Sequence, residues 1–222
     1  GAKMSLAGEN VTFIDQETHL SAIQKQGLKL IWEDGTEHLA KDATATNSFA
    51  EAGPQDLVIL ALKAHYLETV APQVKELLGP ETMIVTVQNG IPWWYFHAHG
   101  GAWEGTRLET ADPGGIIATH VPPERVIGCV VYPAAVIAEP GVIQHIEGNR
   151  FSIGELDGST SDRLRALSNA IGAAGADDFW DSSSDSGEGD DDIPGVVPAV
   201  GDEPRPVCQL QGEDDTHGGL IE

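Results

Sequence analysis

The first 176 residues alternate between two hydrophobic patterns. Short apolar or β-branched runs are typical of strands buried in a sheet. Between them lie stretches whose apolar residues recur every three or four positions, as in amphipathic helices. The predicted strands cover residues 9–15, 28–32, 36–40, 56–63, 83–90, 125–133, 141–148 and 150–156, and the predicted helices cover residues 17–27, 65–80 and 161–175.

This alternation predicts parallel strands joined by crossover helices. We therefore expect an α/β fold, with a Rossmann-like, mostly parallel sheet that carries helices on both faces. Asp34-Gly35 and Gly148-Asn149 each separate two strand runs and predict hairpin turns. Gly27 is expected to cap the first helix, and the stretch Ser159-Thr160-Ser161-Asp162 is expected to supply the N-cap of the last helix.

The front of the chain departs from the usual dinucleotide-binding pattern. Such a fold normally opens with a strand and a GxGxxG turn, whose glycines let the backbone approach a pyrophosphate. The first 15 residues, GAKMSLAGENVTFID, contain no such turn. They match the back half of a first helix followed by a second strand, so we expect the sheet to lack its first strand.

The composition changes at residue 177. Fourteen of the 35 acidic residues lie in residues 177–222, with a single Arg and no Lys. A segment rich in Asp, Ser, Gly and Pro buries too little apolar surface to offset the entropy lost on ordering. We therefore expect a partial dinucleotide-binding domain over residues 1–176 and an acidic, disordered, low-complexity tail over residues 177–222. A role for the tail in binding a partner is the alternative.

Charge and cysteine content exclude several function classes. The formal net charge is −23, which argues against nucleic acid as a partner because phosphate binding needs clustered cations. No apolar run is long enough to cross a bilayer and no signal peptide is evident, so a membrane partner is not expected. Cys129 and Cys208 form no ligand or disulfide pattern, which favours a reducing cytoplasm.

Polar residues follow two of the buried strand runs. Lys63 ends one run, and Gln88-Asn89-Gly90 ends the next. Carboxyl ends of parallel strands meet at one edge of an open α/β sheet, which is where ligands bind. Asp15 ends an earlier strand, at the position where an acid binds the adenosine ribose hydroxyls; a turn or helix N-cap is the alternative.

These residues, together with LALKAH at 60–65, TVQNGIPWW at 86–94 and the long motif VVYPAAVIAEPGVIQHIEGNRFSIGELDG at 130–158, resemble the ketopantoate reductase (2-dehydropantoate 2-reductase) family. The resemblance covers residues 1–176. It implies an oxidoreductase that reduces ketopantoate to pantoate with hydride from NADPH, in pantothenate biosynthesis.

The resemblance also implies roles for individual residues. Lys63 matches the lysine beside the nicotinamide ribose, and Asn89 matches the asparagine beside the nicotinamide and the substrate, where its amide can donate and accept without titrating. Ala135 matches a backbone contact near the nicotinamide. We therefore expect Asp15, Lys63, Asn89 and Ala135 to contact the cofactor, with Asn89 also serving in catalysis. For Lys63 and Asn89 the alternatives are a solvent-facing strand end and a tight turn.

Two departures from the family pattern qualify the expected activity. The family's helical C-terminal domain, with the lysine that protonates the developing alkoxide, has no counterpart here, so we expect this fragment to lack turnover. Asp15 stands where the family commonly carries a basic residue for the 2′-phosphate of NADPH. NADH is therefore the second cofactor candidate.

Other functions stay open from the sequence. One is a non-catalytic Rossmann-like binding or interaction module, and another is a related NAD(P)-dependent enzyme acting on another 2-oxo acid or hydroxy acid. The expected partner is a small-molecule substrate, with a homodimer also open. Residues 93–96, WWYF, either wall the pocket or pack a contact, with packing favoured. His97, His99 and His120 lack a completing ligand, so no metal site is expected.

Overall fold

The computed structural model describes residues 1–179 and 206–211. Its strands are β1 (Asn10–Ile14), β2 (Leu28–Ile31), β3 (Glu37–Ala40), β4 (Thr44–Thr46), β5 (Gln55–Ala61), β6 (Leu78–Thr86), β7 (Val126–Val131), β8 (Ala134–Glu139), β9 (Val142–Glu147), β10 (Arg150–Glu155), β11 (Asp177–Phe179) and β12 (Pro206–Gln211). Its α-helices are α1 (Ala2–Leu6), α2 (Glu17–Gln26), α3 (Phe49–Ala52), α4 (Leu67–Val74), α5 (Ile116–His120) and α6 (Asp162–Ala173).

Eight strands form one large sheet in the order β11-β10-β7-β6-β5-β12-β1-β4. The strands from β4 to β7 in this order are parallel to one another. β10 runs antiparallel to β7, and β11 follows β10 in direction. The α/β fold with a mostly parallel sheet, expected from the hydrophobic pattern, is confirmed. The carboxyl ends of the six parallel strands lie along one edge, here called the carboxyl edge.

The core lies on both faces of this sheet because successive side chains of a strand alternate in direction. In β5, Leu57 and Ile59 pack on the face that also holds Leu164 and Leu167 of α6. Val58 and Leu60 pack on the other face, against α4 and α5. The continuous apolar run of β5 thus reflects burial on both sides, as expected for a central parallel strand.

Two parts of the tail predicted for residues 177–222 lie in this sheet; the rest of that tail lies outside the described residues. β11 extends the sheet beyond β10, so strand structure continues past the expected domain boundary. β12 pairs in parallel with β1 on one side and β5 on the other, and its Cys208 is fully buried. Pairing on two sides satisfies the backbone hydrogen bonds of this strand.

The position of β12 follows a known strand order. In a doubly wound sheet of order 3-2-1-4-5-6, the first strand of the chain lies between the second and the fourth. Here the run β4-β1-β12-β5-β6-β7 has that arrangement, with β12 in the place of the first strand. The most C-terminal described strand thus completes the centre of the sheet.

A smaller sheet has the order β3-β2-β9-β8. The hairpin predicted at Asp34-Gly35 is confirmed, since β2 and β3 pair antiparallel. The hairpin predicted at Gly148-Asn149 is wrong: β9 pairs with β8 and β2, whereas β10 pairs with β7 in the large sheet. Gly148 lies where the chain passes from β9 in the smaller sheet to β10 in the large sheet. Its φ is +77°, and a Cβ at this position would lie 2.9 Å from the carbonyl oxygen of Tyr132.

The helices differ from expectation mainly in length. α4 ends at Val74, and β6 begins at Leu78, so Gly79 and Pro80 lie in a strand instead of closing the helix. Thr82 explains this change, because its hydroxyl accepts from the backbone N–H of Gly79 at 2.7 Å and donates to the carbonyl of Gln55 at 2.6 Å. Within the described residues, no helix is both long and apolar enough to span a membrane.

Candidate functional site

Lys63 and Asn89 lie at equivalent places on neighbouring strand ends. Leu60 of β5 pairs with Thr86 of β6, and each of the two polar residues comes three positions after one member of this pair. Because the strands are parallel, both residues lie at the carboxyl edge, and both are exposed. This arrangement places a cation and a carboxamide on adjacent strand ends.

Gln88 connects the two strand ends. Its side-chain Nε2 donates to the carbonyl of Leu62 at 2.7 Å, and the backbone N–H of Val87 donates to the carbonyl of Leu60 at 3.3 Å. Gly90, which follows, has a φ of +97°, a region that favours glycine. Gln88 therefore fixes the loop, and Asn89 is exposed. The sequence analysis grouped Gln88 with the strand end but gave it no separate role.

Asn89 lines a cleft of about 1040 Å³ on the α4 side of the large sheet. Thr86, Trp93, Leu156 and Glu68 contribute to its walls, and no lysine or arginine among the described residues does so. Trp93 is buried in the core cluster of that face, whereas Tyr95 is half exposed. The aromatic run thus both packs the core and walls the cleft.

Glu155 of β10 also borders this cleft and was missed by the sequence analysis. Arg163 of α6 binds it in a bidentate pair, with Nε to Oε1 at 2.7 Å and Nη2 to Oε2 at 2.5 Å. Burial pushes the pKa of Glu155 up, but the bonds from Arg163 and Ser161 outweigh burial and leave this pKa below its usual value. Glu155 is therefore a structural anion that joins β10 to α6.

Asp15 lies at the carboxyl edge but is separated from β5 by β12. It is only 9 % exposed, and its Oδ1 accepts from the backbone N–H of Gln16 at 2.7 Å. Burial raises the pKa of Asp15, and the bond from Gln16 together with the nearby His19 opposes the rise. Its Oδ2 lies 3.7 Å from Nε2 of His19, a neighbour that the sequence analysis did not consider.

Ala135 lies in the smaller sheet, on β8, where it pairs with His145 of β9. It borders a separate, largely apolar cavity of about 480 Å³ that also contacts Ala61 of β5 and Val87 after β6. The structure thus brings Lys63 and Asn89 to adjacent strand ends, places Asp15 two strands away along the same edge, and places Ala135 beside a different cavity.

The two cysteines do not supply a nucleophile. Cys129 and Cys208 are both buried and free. Burial raises the pKa of each thiol to about 12, so the reactive thiolate is scarce at neutral pH. Among the described residues, no group of three His, Cys, Asp or Glu side chains is placed to hold a metal ion.

The comparisons with known proteins agree on one family. Residues 1–93 match the family model described as ketopantoate reductase PanE/ApbA. A 2-dehydropantoate 2-reductase from Mesorhizobium japonicum is 49 % identical over 175 residues, which are 78 % of this chain and 53 % of that protein. The chain thus spans about half the length of the curated relatives that it matches.

Solved structures give the same result. A protein from Ralstonia solanacearum described as a ketopantoate reductase superposes with a TM-score of 0.75 at 41 % identity, covering 80 % of this chain and 55 % of that one. A 2-dehydropantoate 2-reductase from Geobacter metallireducens superposes with a TM-score of 0.63 at 26 % identity, covering 80 % and 52 %. The chain therefore belongs to the ketopantoate reductase family of oxidoreductases.

Proposed function

We propose that this chain is the dinucleotide-binding part of a 2-dehydropantoate 2-reductase, which reduces the 2-oxo acid ketopantoate to pantoate with hydride from NADPH or NADH. The observation that carries the proposal is the placement of Lys63 and Asn89 on the ends of the paired strands β5 and β6. Open α/β sheets bind dinucleotides across this edge. The family to which the chain belongs supports the substrate class.

The two side chains have complementary roles in this proposal. The ammonium group of Lys63 donates to oxygen atoms of the nicotinamide ribose. The carboxamide of Asn89 donates to one hydroxyl or carbonyl group and accepts from another, and it keeps the nicotinamide next to the substrate carbonyl. A position fixed in this way lowers the barrier because hydride transfer needs close, aligned reactants.

The reaction also needs a proton for the oxygen atom that gains negative charge. No lysine or arginine among the described residues borders the cleft beside Asn89. We therefore propose that the described part of the chain binds the dinucleotide without turning over ketopantoate. Robust turnover by the chain alone would contradict this part of the proposal.

NADH is the second cofactor candidate, and Asp15 favours it. A carboxylate at the end of β1 accepts a hydrogen bond from a ribose 2′-hydroxyl but repels a 2′-phosphate. We also propose a cytoplasmic setting, which the two free cysteines support. A homodimer is proposed because large apolar side chains such as Ile91 and Tyr95 are at least half exposed.

A titration tests the binding proposal. NADPH and NADH are added separately to the chain, and binding is followed by nicotinamide fluorescence. We expect the fluorescence to change saturably with the unmodified chain. Lys63→Met and Asn89→Asp should each raise the dissociation constant by about tenfold, because each variant loses a hydrogen bond that involves a charge or a paired amide. Lys75→Met is the matched control, since Lys75 precedes β6 at the opposite edge of the sheet.

The two outcomes separate the candidate functions. A saturable change that Lys75→Met leaves intact and the two edge variants weaken supports the dinucleotide site. No saturable change with either cofactor contradicts it and favours a non-catalytic interaction module.

A further inference from the structure

A buried acid and a buried histidine face each other where β1 passes into α2. Asp15 follows β1 directly, and His19 lies one helical turn later. Oδ2 of Asp15 is 3.7 Å from Nε2 of His19, and less than a tenth of either residue is exposed. Among the described residues, neither atom has a hydrogen-bond partner. Buried polar atoms without partners are rare, so this pair needs an explanation.

The other ring nitrogen of His19 fixes the tautomer. The backbone N–H of Gly141 donates to Nδ1 of His19 at 2.8 Å. A peptide N–H can only donate, so Nδ1 carries the lone pair and the neutral ring carries its hydrogen on Nε2. The N–H group of His19 is therefore on the side of Asp15.

Gly141 is itself held in place from two directions. Its carbonyl accepts from the backbone N–H of Lys29 at 2.9 Å, which ties the β8–β9 turn to β2. Its φ is +78°, and a Cβ at this position would lie 3.0 Å from Cβ of Ala22 on α2. The turn therefore fits closely against α2, and the imidazole of His19 cannot turn over without losing its bond to Gly141.

The oxygen atoms of Asp15 are not equivalent. Oδ1 accepts from the backbone N–H of Gln16, so Oδ2 is the atom with capacity for a further bond. In a doubly wound sheet, an acid at the end of the second strand accepts from the adenosine ribose. A 2′-hydroxyl can donate to Oδ2, whereas a 2′-phosphate would place like charges side by side.

We propose that His19 is a positioning residue that holds Oδ2 of Asp15 for the 2′-hydroxyl of the adenosine ribose, and that the chain therefore prefers NADH to NADPH. This inference rests on the proposed dinucleotide binding. It extends the sequence-based role of Asp15 by assigning the orientation of its carboxylate to His19 and, through His19, to Gly141 of the smaller sheet.

The test is the ratio of the dissociation constants for NADPH and NADH, measured by nicotinamide fluorescence. We expect the unmodified chain to bind NADH at least about tenfold more tightly. Asp15→Asn should bring the ratio close to one. His19→Asn keeps an acceptor for Gly141 but loses the donor beside Asp15, so it should lower the ratio too. His19→Gln, whose amide N–H can reach the former place of Nε2, should preserve it.

The outcomes distinguish a failure of this inference from a failure of the proposed function on which it rests. Thermal unfolding of each variant first establishes that it is folded. If a His19 variant is not folded, the isosteric variant Asp15→Asn provides the comparison with the unmodified chain. An unmodified chain that prefers NADPH overturns the inference. Equal weakening of both cofactors in Asp15→Asn and His19→Asn also overturns it, because a purely structural residue would act in that way. If neither cofactor binds the unmodified chain, the proposed function fails and the inference falls with it.

Discussion

The side-chain amide of Gln88 donates a 2.7 Å hydrogen bond to the backbone carbonyl of Leu62, and this bond joins the loops that carry Asn89 and Lys63. Each loop leaves the end of its own strand, and the pairing between β5 and β6 ends at Leu60 and Thr86. The relative position of the two proposed cofactor contacts therefore depends on the bond between Gln88 and Leu62.

Gln88→Met should loosen this connection without changing the charge. The carbonyl of Leu62 loses its donor, so we expect a cost of about 1 kcal/mol in unfolding free energy and a several-fold weaker dinucleotide affinity. Gln55→Met is the control, because Nε2 of Gln55 makes a similar bond to the carbonyl of Ala52 at the opposite end of β5. Fluorescence titration and urea unfolding measure the two effects. Equal loss of affinity in both variants would contradict the role of Gln88.

The C-terminal strand β12 gives a prediction about thiol reactivity. In a Cys129→Ala background, Cys208 is the single thiol, and its burial at the centre of the sheet should slow its labelling at least about a hundredfold relative to the unfolded chain. Val207→Pro removes a backbone donor from a strand with neighbours on both sides, so it should abolish the protection. Val207→Ala keeps that donor and should retain most of it. Labelling of the unmodified strand at the rate of the unfolded chain would show that β12 does not complete the sheet.

Gly148 and Gly158 form a matched pair for backbone effects. Both have positive φ, at +77° and +74°, but only Gly148 has backbone atoms where a Cβ would lie. Gly158→Ala should cost about 1–2 kcal/mol for the left-handed conformation alone. Gly148→Ala should cost about 2–4 kcal/mol because the clash with Tyr132 adds to it. Chemical denaturation compares the two, and equal costs would argue against the close approach between the sheets.

The pair of Glu155 and Arg163 predicts a pH dependence of stability. The pKa of Glu155 is lower in the folded chain than its ordinary value of 4.5. Its contribution is therefore present above that ordinary value and is lost as the pH falls through the folded pKa. Glu155→Gln should lower the free energy of unfolding at neutral pH, and the difference from the unmodified chain should shrink as the pH drops below about 4. A difference that stays constant with pH would contradict the ion pair.

The hydrophobic pattern predicted the parallel part of the sheet well because burial on both faces leaves a strong signal. Residues 57–62 are all apolar, and β5 covers Gln55–Ala61. The N-cap of the last helix was expected within residues 159–162, and Ser161 supplies it, since its Oγ accepts from the backbone N–H of Leu164 at 3.1 Å. Local hydrogen-bonding chemistry decides such caps, so a single sequence is enough to find them.

Long-range pairing was the part that the sequence could not supply. Gly148-Asn149 has the composition of a hairpin turn, but whether β9 and β10 pair is decided by β2 and β7, which are distant in sequence. In the same way, the composition of residues 177–222 does not reveal that residues 206–211 pair with β1 and β5. The composition of a segment indicates how much apolar surface it can bury alone, but it does not indicate with which strands the segment pairs.

The candidate site shows the same division. Strand ends followed by polar residues were visible in the sequence, and the structure places Lys63 and Asn89 at one edge. The burial of Asp15 beside His19 depends on the fold of α2 against the β8–β9 turn, which contributes Gly141 from far along the chain. No local sequence motif predicts such a contact.

The most direct measurement follows the side-chain amide of Asn89 by NMR while a nicotinamide dinucleotide is added, with its signals assigned by their loss in Asn89→Asp. A cofactor lying across the ends of β5 and β6 should shift this amide, and that of Gln88, saturably and with the dissociation constant found by fluorescence. Saturable binding that leaves both amides unmoved would place the nucleotide elsewhere and contradict the account.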